Sequence, residues 1–583
     1  MNNNLDNRLK TSQTIEEMGT VLDHPSGLFV LFFTETWERF SYYGMRALLV
    51  IFLIASLDNG GYGWERADAL QLYALYTGLV YFTPLIGGVL ADKYLGYRKA
   101  VIIGAFIMAL GHLFMALEIP IFFYLGLTAL ILGNGLFKPN ISSIVGKLYD
   151  DPEKKDGAYT IFYMGINAGA FLGIMLCGYI GEKIGWPYGF GLAMIFMIAG
   201  AIQYWLSGDL FGEIGLKPEN DGIADVGVED TITPNDSEGN ARMFKWIGIA
   251  AVVAALIYFV NPLIDTGSLL STVNTAVMPS AIIAAFVGII GFIISDPSLN
   301  KIEKDRVWVI TIFTLFTVFF WWAFEQAGGS MTVFASDYTE RTLTGSGATA
   351  FKIIDTILTI VPVAVITWVL AKLAKVTFKK IPISNIVLGV AFASIWAIVI
   401  WKIGREFSDD KAEVTASWFG ILNSFFIITF APLFSKFWNT GIIKSGPIKF
   451  ALGLLLVAAG FAVLAFGSMS IPIGAKTASV SMVWLILAYL LHTLGELCLS
   501  PVGLSYVSKL APVRLIGIMF GVFFLSNFLA NWAGGMTGSY IDPIVEEKGM
   551  SFFFLIFTVV PAVAALLLFI LKKTLSKMMH GID

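Results

Sequence analysis

Residues 27–56 read GLFVLFFTETWERFSYYGMRALLVIFLIAS. The apolar ends ask for a membrane-spanning helix, for which about 20 residues suffice. The middle, ETWERFSYYGMR at 35–46, carries Glu35, Glu38, Arg39 and Arg46. On insertion scales each such charge costs about 2.5–3.5 kcal/mol at the bilayer centre. At 100° per residue, Glu35, Glu38, Arg39, Tyr42, Tyr43 and Arg46 fall within an arc of roughly 140°. Lipid cannot solvate that face, so it must look into a bundle or a water-filled cavity. Glu–Arg pairs that merely hold a bundle together are the bland alternative; four charges and two tyrosines on one face favour a working surface.

The rest of the chain agrees with a membrane setting. Its 583 residues are 57% hydrophobic and only 14% charged, with mean hydropathy +0.76, outside the balance of soluble domains. About sixteen apolar stretches have spanning length, predicting an all-α polytopic protein. Residues 1–26 read as a cytoplasmic tail with no signal-peptide h-region, 27–207 as a six-helix bundle and 208–243 as a mobile acidic cytoplasmic linker. Then follow an accessory hairpin at 244–295, a second bundle at 307–571 with an extra hairpin at about 351–403, and a cytoplasmic tail at 572–583. Lysines and arginines gather in the even connections and after the last helix, which puts both termini in the cytoplasm by the positive-inside rule. Cys177 and Cys498 both lie in apolar runs, which leaves no disulfide framework. The net charge of −4 gives no nucleic-acid signature.

Two bundles around a linker are a common transporter architecture, with the site at the midplane between repeated halves. Ionisable groups at comparable depth occur elsewhere: Lys138 in GNGLFKPNISS, Glu325 in FFWWAFEQAGG and Glu496 in LHTLGELCLSPVG. Asn167 sits in FYMGINAGA and Asn423 in WFGILNSFF. Cationic anchors (Arg39, Arg46, Lys138) and anionic anchors (Glu325, Glu496) together suit a zwitterion held by charge-assisted hydrogen bonds at both ends.

ETWERFSYYG has the form ExxERFxYYG, and with it the chain resembles the proton-coupled oligopeptide transporter family of the major facilitator superfamily. Four further blocks agree: GGVLADKYLGYRK at 87–99, GNGLFKPNISS at 133–143, FYMGINAGA at 162–170 and GELCLSPVGLS at 495–505. The resemblance implies a 6+6 helix core and proton-coupled uptake of di- and tripeptides across the inner membrane, driven by the proton gradient without a cofactor or metal. It implies that Arg39 and Lys138, with Arg46, hold the peptide carboxylate, and that Glu496 and Asn423 hold the amino terminus. Tyr42, Tyr43, Tyr81, Asn167 and Ser500 would line the backbone and side-chain pockets. Glu35, Glu38, Arg39 and Glu325 would couple protons, with Glu325 also at the substrate. Asp92, Arg98 and Lys99 look like the superfamily's cytoplasmic gate, and the monomer would be the functional unit. Where the family would show a pocket tryptophan, near GVFFLSNFL, Phe523 stands instead.

The helix count departs from the family's twelve plus an accessory hairpin. The surplus runs 351–371 and 384–403 fit a hairpin entered from outside, expected at the periphery because its interior shows no charge beyond Lys352 and Asp355. A membrane enzyme is disfavoured by the lack of HExxH, of a nucleophile with a paired base, and of a His/Cys ligand cluster. His492, one turn before Glu496, reads as a packing histidine. The remaining alternative is the same fold moving another small anion, such as nitrate, or a peptide-like compound.

Overall fold

The computed structural model describes residues 13–149, 151–217, 237–443, 445–512 and 515–582. The long helices are α1 (Ser26–Ile54), α2 (Arg66–Leu90), α3 (Tyr97–Ala116), α4 (Pro120–Lys147), α5 (Pro152–Lys183), α6 (Trp186–Leu206), α7 (Ser237–Val260) and α8 (Met278–Ile294). They continue as α9 (Lys301–Phe324), α10 (Gly345–Thr377), α11 (Pro382–Ser408), α12 (Ile421–Asn439), α13 (Gly446–Gly467), α14 (Val483–Leu510), α15 (Ile516–Ser539) and α16 (Met550–Met578). Among the described residues, fifteen long segments are apolar enough to cross a membrane; α1, whose four charges set it apart, has spanning length too, with 29 residues. Strand pairing among the described residues is confined to three two-residue ladders. Helix starts follow local chemistry: prolines open α4, α6 and α11, where the missing N–H costs nothing, and Asn300 with Glu303 forms a capping box on α9.

Sixteen alternating helices bring both described ends to one face, called here the terminal face; the opposite face is the distal one. Helices α1–α6 pack as one half and α9 with α12–α16 as the other. The halves meet along α2 against α15 and along α5 against α12.

Small residues let the central helices approach. On α5, Gly165, Gly169 and Gly173 form a glycine ridge against α1, where a Cβ on Gly173 would lie 2.1 Å from the Phe40 carbonyl oxygen and one on Gly169 2.3 Å from that of Thr36. Backbone cannot yield as a side chain can, so Gly173→Ala is expected to destabilise the protein by about 1–3 kcal/mol. A lowered thermal midpoint in detergent would register it, and an unchanged midpoint would refute so close an approach.

The structure refines the sequence expectations at four places. The hairpin α10–α11, inserted in the second half's sequence, packs on the first half, against α6 and α1. The Phe392 ring sits against Phe33 (5.7 Å) and Trp37 (5.3 Å), and Ser384 Oγ donates to the Gln203 carbonyl at 3.0 Å. Nor is its interior empty of charge: Lys402 is buried and ion-paired with Asp355, because a pair neutralises the cost that would push either charge outward. Finally, the stretch expected as linker is packed over its first ten residues, where Gly208–Phe211 forms a 3-10 turn and Arg98 Nη1 donates to the Gly212 carbonyl at 2.6 Å. The rest of 208–243 up to residue 236 lies outside the described residues. Residues 13–25 of the expected tail are ordered too: Thr20–Val21 pairs with His24–Pro25, and His24 Nδ1 lies 2.8 Å from the Tyr149 hydroxyl.

Candidate functional site

The charges of α1 divide into two groups. Arg39 Nε lies 2.8 Å from Glu35 Oε1 and 2.6 Å from Glu38 Oε2, and Asn134 Nδ2 of α4 donates to Glu38 Oε1 at 3.0 Å. All three charged side chains are buried, so each carries its compensation in its neighbours. Two turns on, Arg46 reaches the other half: its Nη2 ion-pairs with Glu325, and its Nε donates to the Tyr73 hydroxyl at 2.7 Å.

Glu325 sits where the ninth helix breaks. After Phe324 the chain forms a 3-10 turn over Glu325–Gly328 and resumes as a short helix, Ser330–Asp337. Gln326 pins the break, its Nε2 donating to the Gly534 carbonyl of α15 at 2.8 Å while Ser330 Oγ donates to its Oε1 at 2.5 Å. Gly328 is required there, since a Cβ would lie 2.0 Å from the Tyr73 hydroxyl oxygen and 3.1 Å from Arg46 Nε.

Between the halves lies a cavity of about 220 Å³. Its polar lining includes Tyr43, Arg46, Tyr81 and Asn167 from the first half, and Glu325, Asn423 and Glu496 from the second. Asn423 Nδ2 donates to Glu496 Oε2 at 2.9 Å and to Thr493 Oγ1 at 3.2 Å, which turns the carboxylate of α14 toward α12. Asn167 Nδ2 donates to the Tyr163 carbonyl at 3.0 Å. Trp321, Phe324, Ile166 and Ile174 supply apolar wall.

Other expected site residues lie off this cavity. Arg39, Glu35, Glu38 and Tyr42 are buried within the first half. Lys138 stands one side chain behind the wall, its ammonium 4.4 Å from the centre of the Tyr81 ring. Ser500 is partly buried on α14, and Phe523 packs against Gly503 and the Phe524 ring. Asp92 and Lys99 are exposed at the terminal face, and Arg98 donates to the Gly212 carbonyl. His492 is a buried packing residue, its ring 4.5 Å from that of Phe461.

Sequence reading passed over Tyr73, Tyr163, Trp321, Phe324 and Asn134. A signal existed for Asn134, one helical turn before Lys138 in the quoted block; Tyr73 had none, because its partner stands on another helix.

At the distal face several contacts join the halves. Arg66 of α2 pairs with Asp337 at 2.6 Å and Asp542 at 2.7 Å. Glu182, near the end of α5, accepts from the backbone N–H groups of Ala416 (2.8 Å) and Ser417 (2.9 Å), and Lys183 pairs with Glu413. Hydrogen bonding from Lys183 holds the Glu413 carboxyl below the usual carboxylate range. Among the described residues, every ion pair between the halves lies at the cavity or distal to it, so the arrangement is closed at the distal face.

A family model described as PTR2, the POT family, matches residues 98–232 and 393–551, half of the chain. The chain belongs to the POT family. It is similar to the peptide transporter YePEPT of Yersinia enterocolitica, 32% identical over 91% of each chain. The di-/tripeptide transporter of Lactococcus lactis subsp. cremoris is 29% identical, covering 97% of this chain and 98% of that one. Among solved structures, a mutant of the peptide transporter POT in complex with alafosfalin matches with TM-score 0.73 and 27% identity, covering 98% of this chain and 99% of that chain. This POT protein is therefore a polytopic transporter of the major facilitator type and not an enzyme.

Proposed function

We propose that the protein carries di- and tripeptides into the cell together with protons, by alternating access of one cavity to the two faces, with its termini in the cytoplasm and the chain in the inner membrane. The observation that carries this reading is the pairing of opposite charges across the cavity: Arg46 on one half, Glu496 with Asn423 on the other. A zwitterionic peptide satisfies both ends, whereas a simple anion leaves Glu496 without a counter-charge, a costly arrangement in a buried site. The names of the relatives support the same substrate class.

In this reading Arg46 receives the peptide carboxylate, and Lys138 and Arg39 act from behind the wall through Tyr81 and the Glu35–Glu38 cluster. Glu325 is the proton carrier. Its pair with Arg46 holds the distal face shut, and protonation removes the attraction. The test is uptake of a labelled dipeptide into proteoliposomes, with and without an imposed inward proton gradient. Accumulation above equilibrium only with the gradient is expected; gradient-independent equilibration would reject coupling, and no uptake of any dipeptide would reject the substrate class.

A further inference from the structure

We infer that the surplus hairpin α10–α11 is a strap that rides with the first half and latches the distal face closed. Its contacts to the first half run along its whole length. At the terminal face, Ser384 Oγ lies 2.8 Å from the Oγ of Ser207, which caps the end of α6, and the Lys380 ammonium donates to the Glu17 carbonyl of the ordered N-terminal segment. Mid-membrane, Phe392 fills the slot beside Trp37, and Thr359 Oγ1 lies 3.2 Å from Met175 Sδ of α5. Towards the distal face the Lys402 ammonium lies 5.1 Å from the centre of the Tyr179 ring of α5.

To the second half the hairpin is joined differently. Its two chain connections both lie at the distal face, where Thr342–Leu343 pairs antiparallel with Ala412–Glu413 and Val414 N donates to the Arg341 carbonyl at 2.9 Å. Beside them Trp418, at the entrance to α12, donates its indole Nε1–H to Asp355 Oδ1 at 2.9 Å, and its ring lies 5.3 Å from that of Phe351. The other oxygen of Asp355 takes Lys402, so the carboxylate is tied by one oxygen to the hairpin's second helix and by the other to the second half. Trp418 is two residues from Ala416, whose N–H is held by Glu182. Separation of the halves at this corner therefore has to pull the α12 entrance away from Glu182 and from Asp355 together. A single distal latch on an element packed along the first half favours the distal-closed state, because the bond exists only in that state.

The test is a distance measurement between spin labels at Leu57→Cys and Ile473→Cys, both well exposed in distal loops of opposite halves, in lipid nanodiscs without substrate. Needing no substrate, it can fail without touching the peptide reading. In the parent a short distance dominates. Trp418→Phe keeps an aromatic ring beside Phe351 but removes the indole N–H together with the smaller ring of the indole; it is expected to raise the ratio of long to short distances about tenfold, the shift that loss of one charge-assisted hydrogen bond gives in a two-state equilibrium. The double variant Asp355→Asn/Lys402→Gln removes the charges in balance and should shift the ratio in the same direction. An unchanged ratio in whichever variant keeps the parent's thermal midpoint would overturn the inference, as would a shift towards shorter distances.

Discussion

Replacing Glu325 by glutamine is expected to abolish accumulation of peptide against its gradient while leaving counterflow exchange of one peptide for another near the parent rate. Glutamine keeps the shape and hydrogen-bonding capacity of the protonated acid and can neither bind nor release a proton. Arg46 is held on one side by Tyr73 at 2.7 Å and on the other by Glu325, and either charge left alone in this buried site is costly. A peptide carboxylate arriving at Arg46 competes for the guanidinium, and a proton on Glu325 removes the charge so exposed. Peptide and proton thus stabilise the same rearrangement and become thermodynamically linked. Exchange needs no net proton movement and survives the substitution. Both assays belong on one reconstituted preparation: a glutamine variant that still concentrates peptide would move the coupling role to Glu35 or Glu38, whose cluster with Arg39 and Asn134 is the other buried ionic group of the first half.

The architecture was legible because apolar length is a one-dimensional property. Each bilayer crossing announces itself in about 20 residues, and α1 could be added by the amphipathic placement of its charges. Of the candidate residues, Tyr43, Asn167 and Glu496 stand in the quoted motif blocks, and they line one cavity together with Arg46, Tyr81, Glu325 and Asn423. Depth and facing were harder. Arg39 and Arg46 stand seven residues apart on one helix face, yet Arg39 spends its charge on Glu35 and Glu38 while Arg46 faces the opposite half. A helical projection cannot separate them, because the difference lies in what the partner helices offer. The hairpin shows the same limit. Its insertion point says nothing about which half supplies the slot for Phe392, and a Lys402 near the end of an apolar run reads as an interfacial charge until Asp355 is found opposite it.

Capping either end of a dipeptide is expected to weaken its competition for uptake at least tenfold. Each end stands to lose a charge-assisted contact of about 1.5–3 kcal/mol. An N-acetyl group removes the ammonium that Glu496 and Asn423 are placed to receive, and C-terminal amidation removes the carboxylate placed for Arg46. Glu496→Gln turns this into an assignment of residue to terminus. Its amide keeps the bulk beside Asn423 and Thr493 but carries no charge, so the free dipeptide should lose at least tenfold in apparent affinity while the N-acetyl dipeptide, which makes no ion pair there, should lose little further. The amidated dipeptide, whose ammonium is intact, should remain as sensitive to Glu496→Gln as the free one. That non-additivity is the signature of direct contact. Equal losses for free and acetylated peptides would mean that Glu496 shapes the cavity without touching the amino terminus.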